Sequence, residues 1–307
     1  MSWWQLYKEV EDLLDGVEAR WLVEEASGLD RSQWDTGTTA RGAGRLSLMV
    51  DRRLSGEPLQ YVVGHWSFRG LDLMVDHRAL IPRPETETVA EVALEEAVRA
   101  GARRGVPDPW ATLPPSFAVA DLGTGSGALA LALVAELPEA QVWATDVSPS
   151  ALAVARANLA AVGLAATRVR LVQGMWYEAL PEERRGRLRV IVSNPPYVAE
   201  AEWATLDREV RDHEPRSALV AGPTGRECLE ALVDGGLEWL EPGGALVLEL
   251  APHQAGIVAA RARDAGYQEV DVRPDLAGRP RVLAARKSSE FPPPEIAGGA
   301  GLSPEVQ

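Results

Sequence analysis

The four residues Asn194, Pro195, Pro196 and Tyr197 have the clearest chemical use in this sequence. They follow the apolar run VIVS, which predicts a strand, so we expect them at the carboxyl edge of a sheet, where doubly wound folds bind ligands. The two prolines fix the backbone and donate no hydrogen bonds. The Asn194 side-chain oxygen and the Pro195 carbonyl can then accept both N–H groups of a planar amide or exocyclic amine, and Tyr197 can stack on its flat face.

A second segment can hold a nucleotide-like group. The predicted strand FAVADLG runs into three glycines at 123, 125 and 127 and then into a helix, so the backbone can turn sharply and approach a ligand. Asp146 ends the next predicted strand, QVWATDV, and its carboxylate can accept hydrogen bonds from both hydroxyls of a ribose. On these residues alone a nicotinamide enzyme and a methyltransferase fit equally well, because Gly123-x-Gly125-x-x-Ala128 also satisfies the looser dinucleotide fingerprint.

Both segments also have a purely structural interpretation. The glycines can simply make a tight turn while Asp146 caps the helix that begins at Pro149, and Asn-Pro pairs commonly begin turns. The predicted position of the two segments on one sheet edge favours a site instead. Methyl transfer from a sulfonium to nitrogen suits such a site, because the leaving group departs neutral and the reaction mainly needs in-line placement. Acceptors for the N–H groups also favour the charge that develops on nitrogen.

Elements that position these residues are readable from the hydrophobic pattern. Strands alternate with helices from Phe117 onward, which predicts a mostly parallel sheet covered on both faces. Two antiparallel edge strands are expected at the end, around a Gly-Arg-Pro turn. Upstream, apolar spacing predicts one or two helices between Trp3 and Val23 and another over 46–54, with a hairpin over 60–75. Loops are predicted over 37–44 and 101–116.

These elements predict four regions. We expect a helical domain over residues 1–56, a β-hairpin connector over 57–80, an α/β domain over 81–287 and a disordered tail over 288–307.

Composition narrows the class of protein. Of the 307 residues, 46% are hydrophobic and 25% are charged, which is an ordinary globular profile. With no long uncharged apolar stretch and a charged amino terminus, we expect a cytoplasmic protein without membrane contact. The net charge of −14 disfavours general binding to nucleic acid. The four histidines lack metal-ligand spacing, so no metal is predicted, and the single Cys228 is expected to be a packing residue.

The motifs together resemble a known family. GTGSG, Asp146 and NPPY look like the class I S-adenosylmethionine-dependent methyltransferases that modify planar nitrogens. A narrower match, through GEPLQYVVG, IPRPETE, DLGTGSG, SNPPYV and HEPRSAL, resembles the peptide chain release factor glutamine N5-methyltransferases, the HemK/PrmC family. The resemblance implies a Rossmann-like domain with a mostly parallel seven-stranded sheet, and a small all-helical N-terminal domain that helps dock the release factor. It also implies methylation of the glutamine in that factor's Gly-Gly-Gln loop. A monomer is expected, although the resemblance does not fix the oligomeric state.

Site residues follow from the resemblance, motif by motif. The implied S-adenosylmethionine-binding residues are Gly123, Thr124, Gly125, Ser126, Gly127, Asp146, Trp176 and Asn194. The implied catalytic residues, which also receive the glutamine amide, are Asn194, Pro195, Pro196 and Tyr197, and Pro82, Arg83 and Pro84 of IPRPETE wall the same site. The chain departs from the family at Met175, where an acidic residue usually contacts the adenine amine.

Other functions stay open at this point. An N6-adenine methyltransferase acting on DNA or RNA would use the same NPPY loop, although the negative charge and the lack of a basic, aromatic-rich segment disfavour it. A glutamine methyltransferase for a ribosomal protein would share the catalytic motifs. A non-catalytic cofactor-binding or adaptor protein would have no use for a complete NPPY segment.

Overall fold

The computed structural model describes residues 1–105 and 115–289, which contain ten α-helices and eleven β-strands. The helices are α1 (Trp3–Glu11), α2 (Gly16–Ser27), α3 (Ala40–Leu54), α4 (Leu59–Val63), α5 (Pro84–Arg99), α6 (Ala128–Glu136), α7 (Pro149–Asn158), α8 (Arg208–His213), α9 (Glu227–Trp239) and α10 (Ala255–Ala265). The strands are β1 (His65–Phe68), β2 (Leu71–Met74), β3 (Phe117–Leu122), β4 (Ala140–Asp146), β5 (Val169–Gln173), β6 (Leu188–Ser193), β7 (Val198–Ala199), β8 (Val220–Gly222), β9 (Leu240–Glu249), β10 (Gln268–Pro274) and β11 (Pro280–Arg286).

A seven-stranded sheet organises the larger part of the chain, in the order β10-β11-β9-β6-β3-β4-β5. The five strands from β9 to β5 pair in parallel, and β11 and β10 add antiparallel pairs at one side. The predicted Rossmann-like, mostly parallel seven-stranded sheet is therefore confirmed. The prediction of two edge strands at the end is wrong for β11, which lies between β9 and β10. Its residues 282–285 are all apolar and buried, so this strand is protected by a neighbour on each side.

Helices cover both faces of the sheet, as the alternation of strands and helices predicts. Val119 of β3 packs into the core under α5 and α6, and the next residue, Ala120, packs on the opposite face under α9 and α10. All six residues of β3 are buried. This central position makes the carboxyl ends of β3, β4 and β6 neighbours at one edge of the sheet.

The amino-terminal helices form a separate hydrophobic cluster around Leu22, Trp34 and Leu46. Helix α4 adds Leu59 and Val62 to it, so the helical core continues beyond residue 56. The hairpin is accordingly shorter than the sequence predicts: residues 60–63 are helical and only β1 and β2 form the hairpin. The four predicted domain boundaries stay a prediction.

The predicted loop over 37–44 is wrong at its second half, because α3 already begins at Ala40. Thr39 caps this helix by accepting a hydrogen bond from the Gly42 backbone N–H at 3.1 Å. A Cβ at Gly42 would lie 2.8 Å from the Trp3 ring, so a glycine is needed where α1 crosses α3. Glycine here permits close helix packing and does not break the helix.

Sequence patterns also missed some elements and predicted others that fall outside the described residues. Helices α8 and α10 and the short strand pair β7–β8 had no separate prediction. Residues 106–114 of the predicted loop and 290–307 of the predicted tail lie outside the described part of the chain.

One segment, Pro149–Arg168, is apolar and long enough to cross a membrane by length and composition alone. In the structure, α7 ends at Asn158, and a non-helical conformation at Gly163 (φ 55°, ψ −128°) interrupts the 3-10 turns that follow. Leu159 and Val162 pack against the core beneath α6. The segment is thus a kinked covering element of the sheet.

Candidate functional site

The glycine loop leaves β3 and enters α6 with positive φ at all three glycines, 78° at Gly123, 55° at Gly125 and 88° at Gly127. The three glycines differ in their surroundings. A Cβ at Gly123 would lie 3.1 Å from the Trp176 ring, and one at Gly127 would lie 3.3 Å from Ala155 of α7. One at Gly125 would meet no atom of the described residues within 4 Å. The loop therefore packs closely on two sides and leaves open space above Gly125 for a ligand.

Asp146 ends β4 beside this loop and lines the open space. One carboxylate oxygen accepts a hydrogen bond from the Gly125 backbone N–H and the other from the Ser148 N–H, both at 2.8 Å. Burial raises the pKa of Asp146, and these two N–H groups partly oppose that shift. Ser148 caps α7 by accepting from Ala151 at 3.2 Å, so the structural interpretation of Asp146 as the helix cap does not hold. Each oxygen of Asp146 keeps a lone pair for a ligand hydroxyl.

Asp121, at the start of the loop, is a residue that the motif contains but the sequence analysis did not single out. It is fully buried, and one oxygen accepts from the Thr124 hydroxyl at 2.6 Å and from the Ala130 backbone N–H at 3.0 Å. The other oxygen, Oδ1, has no hydrogen-bond partner among residues 1–105 and 115–289. Burial raises the pKa of Asp121 to about 7. This carboxylate ties the loop to the first turn of α6.

Trp176 and Met175 follow β5 and line the same open space. Trp176 has φ of 45°, a left-handed conformation that costs energy for a residue with a side chain, and its ring packs against Gly123. Met175, where the sequence departs from the family, is 53% exposed. Trp176 is thus held beside the glycine loop, and its predicted contact with an adenine stays a prediction.

The NPPY segment leaves β6, next to β3 in the sheet, and faces the glycine loop. Asn194 and Pro196 line the open space, whereas Pro195 and Tyr197 do not. The Tyr197 ring packs into the core beneath α9, and its hydroxyl lies 3.4 Å from a Glu249 carboxylate oxygen. The Tyr197 ring therefore lies away from any substrate bound in the cavity, and the geometry does not support its predicted stacking on the substrate.

Gln254 locks the backbone just after the NPPY prolines. Its side-chain amide donates to the Tyr197 carbonyl at 2.8 Å and to the Gly225 carbonyl at 2.9 Å, and the side chain is 1% exposed. A Cβ at Gly225 would lie 2.8 Å from that same Tyr197 carbonyl. The rigidity that the two prolines predict is therefore extended by contacts from residues that lie just before α9 and α10.

Segment IPRPETE forms a third wall, and its residues divide into two roles. Ile81 and Pro82 line the open space. Arg83 instead pairs with Glu214, which also accepts a hydrogen bond from the Ile81 backbone N–H at 3.3 Å, and Pro84 occupies the first turn of α5. Glu214 belongs to the HEPRSAL motif, for which the sequence suggested no role. Its side chain is 1% exposed, so it supports the wall from behind.

These walls enclose one cavity of about 550 Å³. Among the predicted site residues, the ones that line it are Pro82, Gly123, Thr124, Gly125, Ser126, Asp146, Trp176, Asn194 and Pro196. The ones that do not are Arg83, Pro84, Gly127, Pro195 and Tyr197, which hold the walls. Thr86, Glu227 and Cys228 also line the cavity and were not predicted as site residues.

Comparison with known proteins identifies the family. The profile of the PrmC N-terminal domain matches residues 8–64, and that of the methyltransferase small domain matches residues 111–210. The chain is 42% identical over 278 residues to the release factor glutamine methyltransferase of Deinococcus radiodurans, which covers 89% of this chain and 91% of that protein. The chain belongs to the release factor glutamine methyltransferase family. The predicted family and methyltransferase class are thereby confirmed.

Two further similarities concern a second member of this family and a shared fold. The release factor glutamine methyltransferase of Moorella thermoacetica is 43% identical over 249 residues, which is 81% of each chain. Among solved structures, the hMettl16 catalytic domain in complex with the MAT2A 3′UTR hairpin 6 has a TM-score of 0.53 and 16% identity, and the match covers 81% of this chain and 82% of that chain. At that identity the second similarity shows a shared fold alone.

Proposed function

We propose that the chain transfers a methyl group from S-adenosylmethionine to the side-chain N5 of the glutamine in the Gly-Gly-Gln loop of a peptide chain release factor. The observation that carries the proposal is one cavity, in a member of this family, that is lined by both Asp146 and Asn194. The first residue suits the ribose of a nucleoside and the second suits a planar amide. Donor and acceptor would therefore meet inside a single enclosure, as in-line transfer requires.

The glycine loop side of the cavity fits S-adenosylmethionine. Open space above Gly125 admits a ligand against the backbone, the Asp146 carboxylate can accept from ribose hydroxyls, and the Trp176 ring can border an adenine. Thr124, Ser126 and Asn194 line the space between them. When bound there, S-adenosylmethionine supplies an electrophilic methyl group on a sulfonium. With Met175 half-exposed, adenine contacts in this proposal rest on Trp176 and on backbone groups.

Asn194 is proposed to orient the acceptor amide. Its Nδ2 group donates to the Thr86 hydroxyl at 3.1 Å, which leaves Oδ1 as the acceptor for one glutamine N–H. The Pro195 carbonyl, which the sequence predicts to accept the other N–H, does not line the cavity, so Pro195 would support this wall. Accepting one N–H orients the amide and directs its nitrogen lone pair, and the acceptor stabilises the charge that develops on nitrogen. Tyr197, Arg83 and Pro84 would act by holding this wall and would not touch the substrate.

Recognition of the protein substrate is proposed to involve the helical cluster that precedes the hairpin. The Trp21 and Trp66 rings, tilted by 39° with centroids 4.7 Å apart, attach this cluster to the hairpin, as does His65, whose ring nitrogens contact Glu25 and Asp72. Its helices expose Val17 and Leu48, which are available to a partner. We further propose a cytoplasmic monomer that does not act on nucleic acid.

A methyl-transfer assay with labelled S-adenosylmethionine tests the proposal. Purified release factor, its Gln→Ala loop variant, and DNA and RNA are offered in parallel. Label on the intact release factor, and none on the loop variant, is the expected result. Label on nucleic acid alone, or equal label on both forms of the release factor, would overturn it.

A further inference from the structure

Thr86 and Glu249 form a buried polar pair at the acceptor wall, the side of the cavity that Ile81, Pro82, Asn194 and Pro196 line. Thr86 lies in the first turn of α5 and is 3% exposed, and Glu249 ends β9 and is 1% exposed. The Thr86 hydroxyl donates to Glu249 Oε2 at 2.7 Å, and the same Thr86 oxygen accepts from Asn194 Nδ2 at 3.1 Å. The chain of contacts therefore runs from a buried carboxylate to the amide that faces the substrate.

The direction of these hydrogen bonds follows from the proton count. A threonine hydroxyl has one proton, and an ionised carboxylate can only accept. The Thr86 proton is therefore committed to Glu249, so Thr86 can only accept from Asn194. Asn194 must present its NH2 group to Thr86, and its Oδ1 is turned towards the cavity. With the opposite rotation of the amide, Oδ1 would face the lone pairs of Thr86 and the NH2 group would face the substrate's own donors.

Glu249 also holds the other end of the NPPY segment. Its second oxygen, Oε1, accepts from the Tyr197 hydroxyl at 3.4 Å. One carboxylate on the neighbouring strand thus contacts the last residue of the motif directly and the first residue through Thr86. On the basis of the proposed function, we infer that Thr86 and Glu249 are positioning residues that set the orientation of the Asn194 amide for the acceptor glutamine.

Protonation of Glu249 would remove this constraint. Burial raises the pKa of Glu249 to about 7, the Glu85 charge on α5 adds to the rise, and Arg281 of β11 and the Thr86 and Tyr197 hydroxyls oppose it. A protonated Glu249 can donate to Thr86, which frees the Thr86 proton to bond Asn194 Oδ1 and turns the wrong group towards the substrate. Turnover is therefore expected to fall as the pH drops through the pKa of Glu249.

The test compares Thr86→Val, which keeps the shape and loses the hydroxyl, with Thr86→Ser, which keeps the hydroxyl. For methylation of the release factor, T86V should lower kcat by about tenfold or more, with the dissociation constant of S-adenosylmethionine unchanged, and T86S should retain most of the turnover. In an Asn194→Ala background, T86V should cost less than about twofold, because its effect acts through the amide that is already absent. Full kcat in T86V, or a loss that adds completely to that of N194A, would overturn the inference.

Two further measurements separate this inference from the proposed function. The side-chain NH2 resonance of Asn194, assigned from its absence in N194A, should shift in T86V and stay in place in T86S whatever the acceptor is. An unchanged resonance in T86V would overturn the inference even if the release factor is methylated. Glu249→Gln should remove the acidic limb of the kcat–pH profile, and a limb identical to that of the wild type would count against Glu249. Absence of release factor methylation by the wild type would instead overturn the proposed function.

Discussion

Two buried carboxylates support the two sides of the cavity, and their hydrogen bonds differ. Asp121 supports the cofactor wall, which the glycine loop, Asp146 and Trp176 form, and Glu249 supports the acceptor wall. Asp121 accepts its hydrogen bonds from Thr124 and Ala130, three and nine residues further along the chain. Glu249 accepts from Thr86 and Tyr197, which are 163 and 52 residues away. Burial raises the pKa of both groups to about 7.

Asp121 is thus held by contacts that are local in sequence, whereas Glu249 is held by tertiary contacts. The contacts of Asp121 form within a single strand–loop–helix unit, and one of its oxygens has no partner in the part of the chain that the structure describes. The contacts of Glu249 exist only after α5, β6 and β9 have come together, and they use both oxygens. The cofactor wall is therefore shaped mainly by its own backbone, whereas the acceptor wall depends on side chains from several elements.

The largest expected effect concerns the acceptor wall. Asn194→Ala removes the proposed acceptor for the glutamine N–H, so kcat should fall by about 100- to 1000-fold. The cofactor wall does not depend on this side chain for its shape, so the affinity for S-adenosylmethionine should change little. Single-turnover methyl transfer and calorimetric titration of the cofactor measure the two quantities. A loss of cofactor affinity as large as the loss of turnover would mean that Asn194 serves both walls and that they do not act separately.

The next effect concerns the stability of the cofactor wall. The pKa of Asp121 is raised from 3.8 to about 7 in the folded protein. Between these two pH values the folded state therefore binds more protons at this residue than the unfolded state does, so Asp121 makes the free energy of unfolding fall as the pH rises. An amide in its place does not titrate. The free energy of unfolding of Asp121→Asn should therefore rise by about 2 kcal/mol, relative to that of the wild type, as the pH is raised from about 5 to about 8. Urea unfolding at both pH values measures it, and parallel stability curves would contradict the prediction.

A smaller effect is expected from the carboxylate that faces the cofactor. Asp146→Ala should weaken binding of S-adenosylmethionine by about tenfold, through loss of a charged acceptor and of the bonds to Gly125 and Ser148. Asp146→Asn keeps one acceptor oxygen and should lose less. Equilibrium titration of the cofactor compares the three proteins. An unchanged affinity of the Ala variant for S-adenosylmethionine would show that Asp146 does not bind the cofactor.

Sequence patterns predicted the cofactor wall more completely than the acceptor wall, for the same physical reason. The glycines at 123, 125 and 127 and Asp146 carry their chemistry within one strand–helix–strand unit, so residue type and spacing are enough. Arg83, Pro195 and Tyr197 were predicted to contact the substrate, but they do not line the cavity. Thr86 lies inside the IPRPETE motif, but a threonine in a helix entry resembles an ordinary cap, and only the fold shows its contact with Asn194.

The fold shows a similar division. The alternation of strands and helices after Phe117 predicted the parallel sheet, because each buried strand is a short apolar run of its own. The start of α3 was missed because its glycines at 42 and 44 imitate a loop. Gly42 is needed to make room for Trp3, a residue 39 positions earlier that no local pattern connects with it. The order of β10 and β11 was likewise set by pairing with β9, which is a tertiary contact.

The smallest effect sharpens the comparison at the rim of the acceptor wall. Glu214→Gln keeps the acceptor for the Ile81 N–H and removes the charge that pairs with Arg83, so the IPRP segment should be held less firmly. The KM for the release factor should rise by about threefold, with kcat and cofactor affinity nearly unchanged. Glu209→Gln is the matched control, because that residue is 39% exposed and pairs with Arg53 of the helical cluster. Steady-state kinetics at saturating cofactor compares the variants. An equal rise of KM in Glu214→Gln and Glu209→Gln would show that the effect comes from the surface around α8. The Arg83–Glu214 pair would then have no part in holding the substrate.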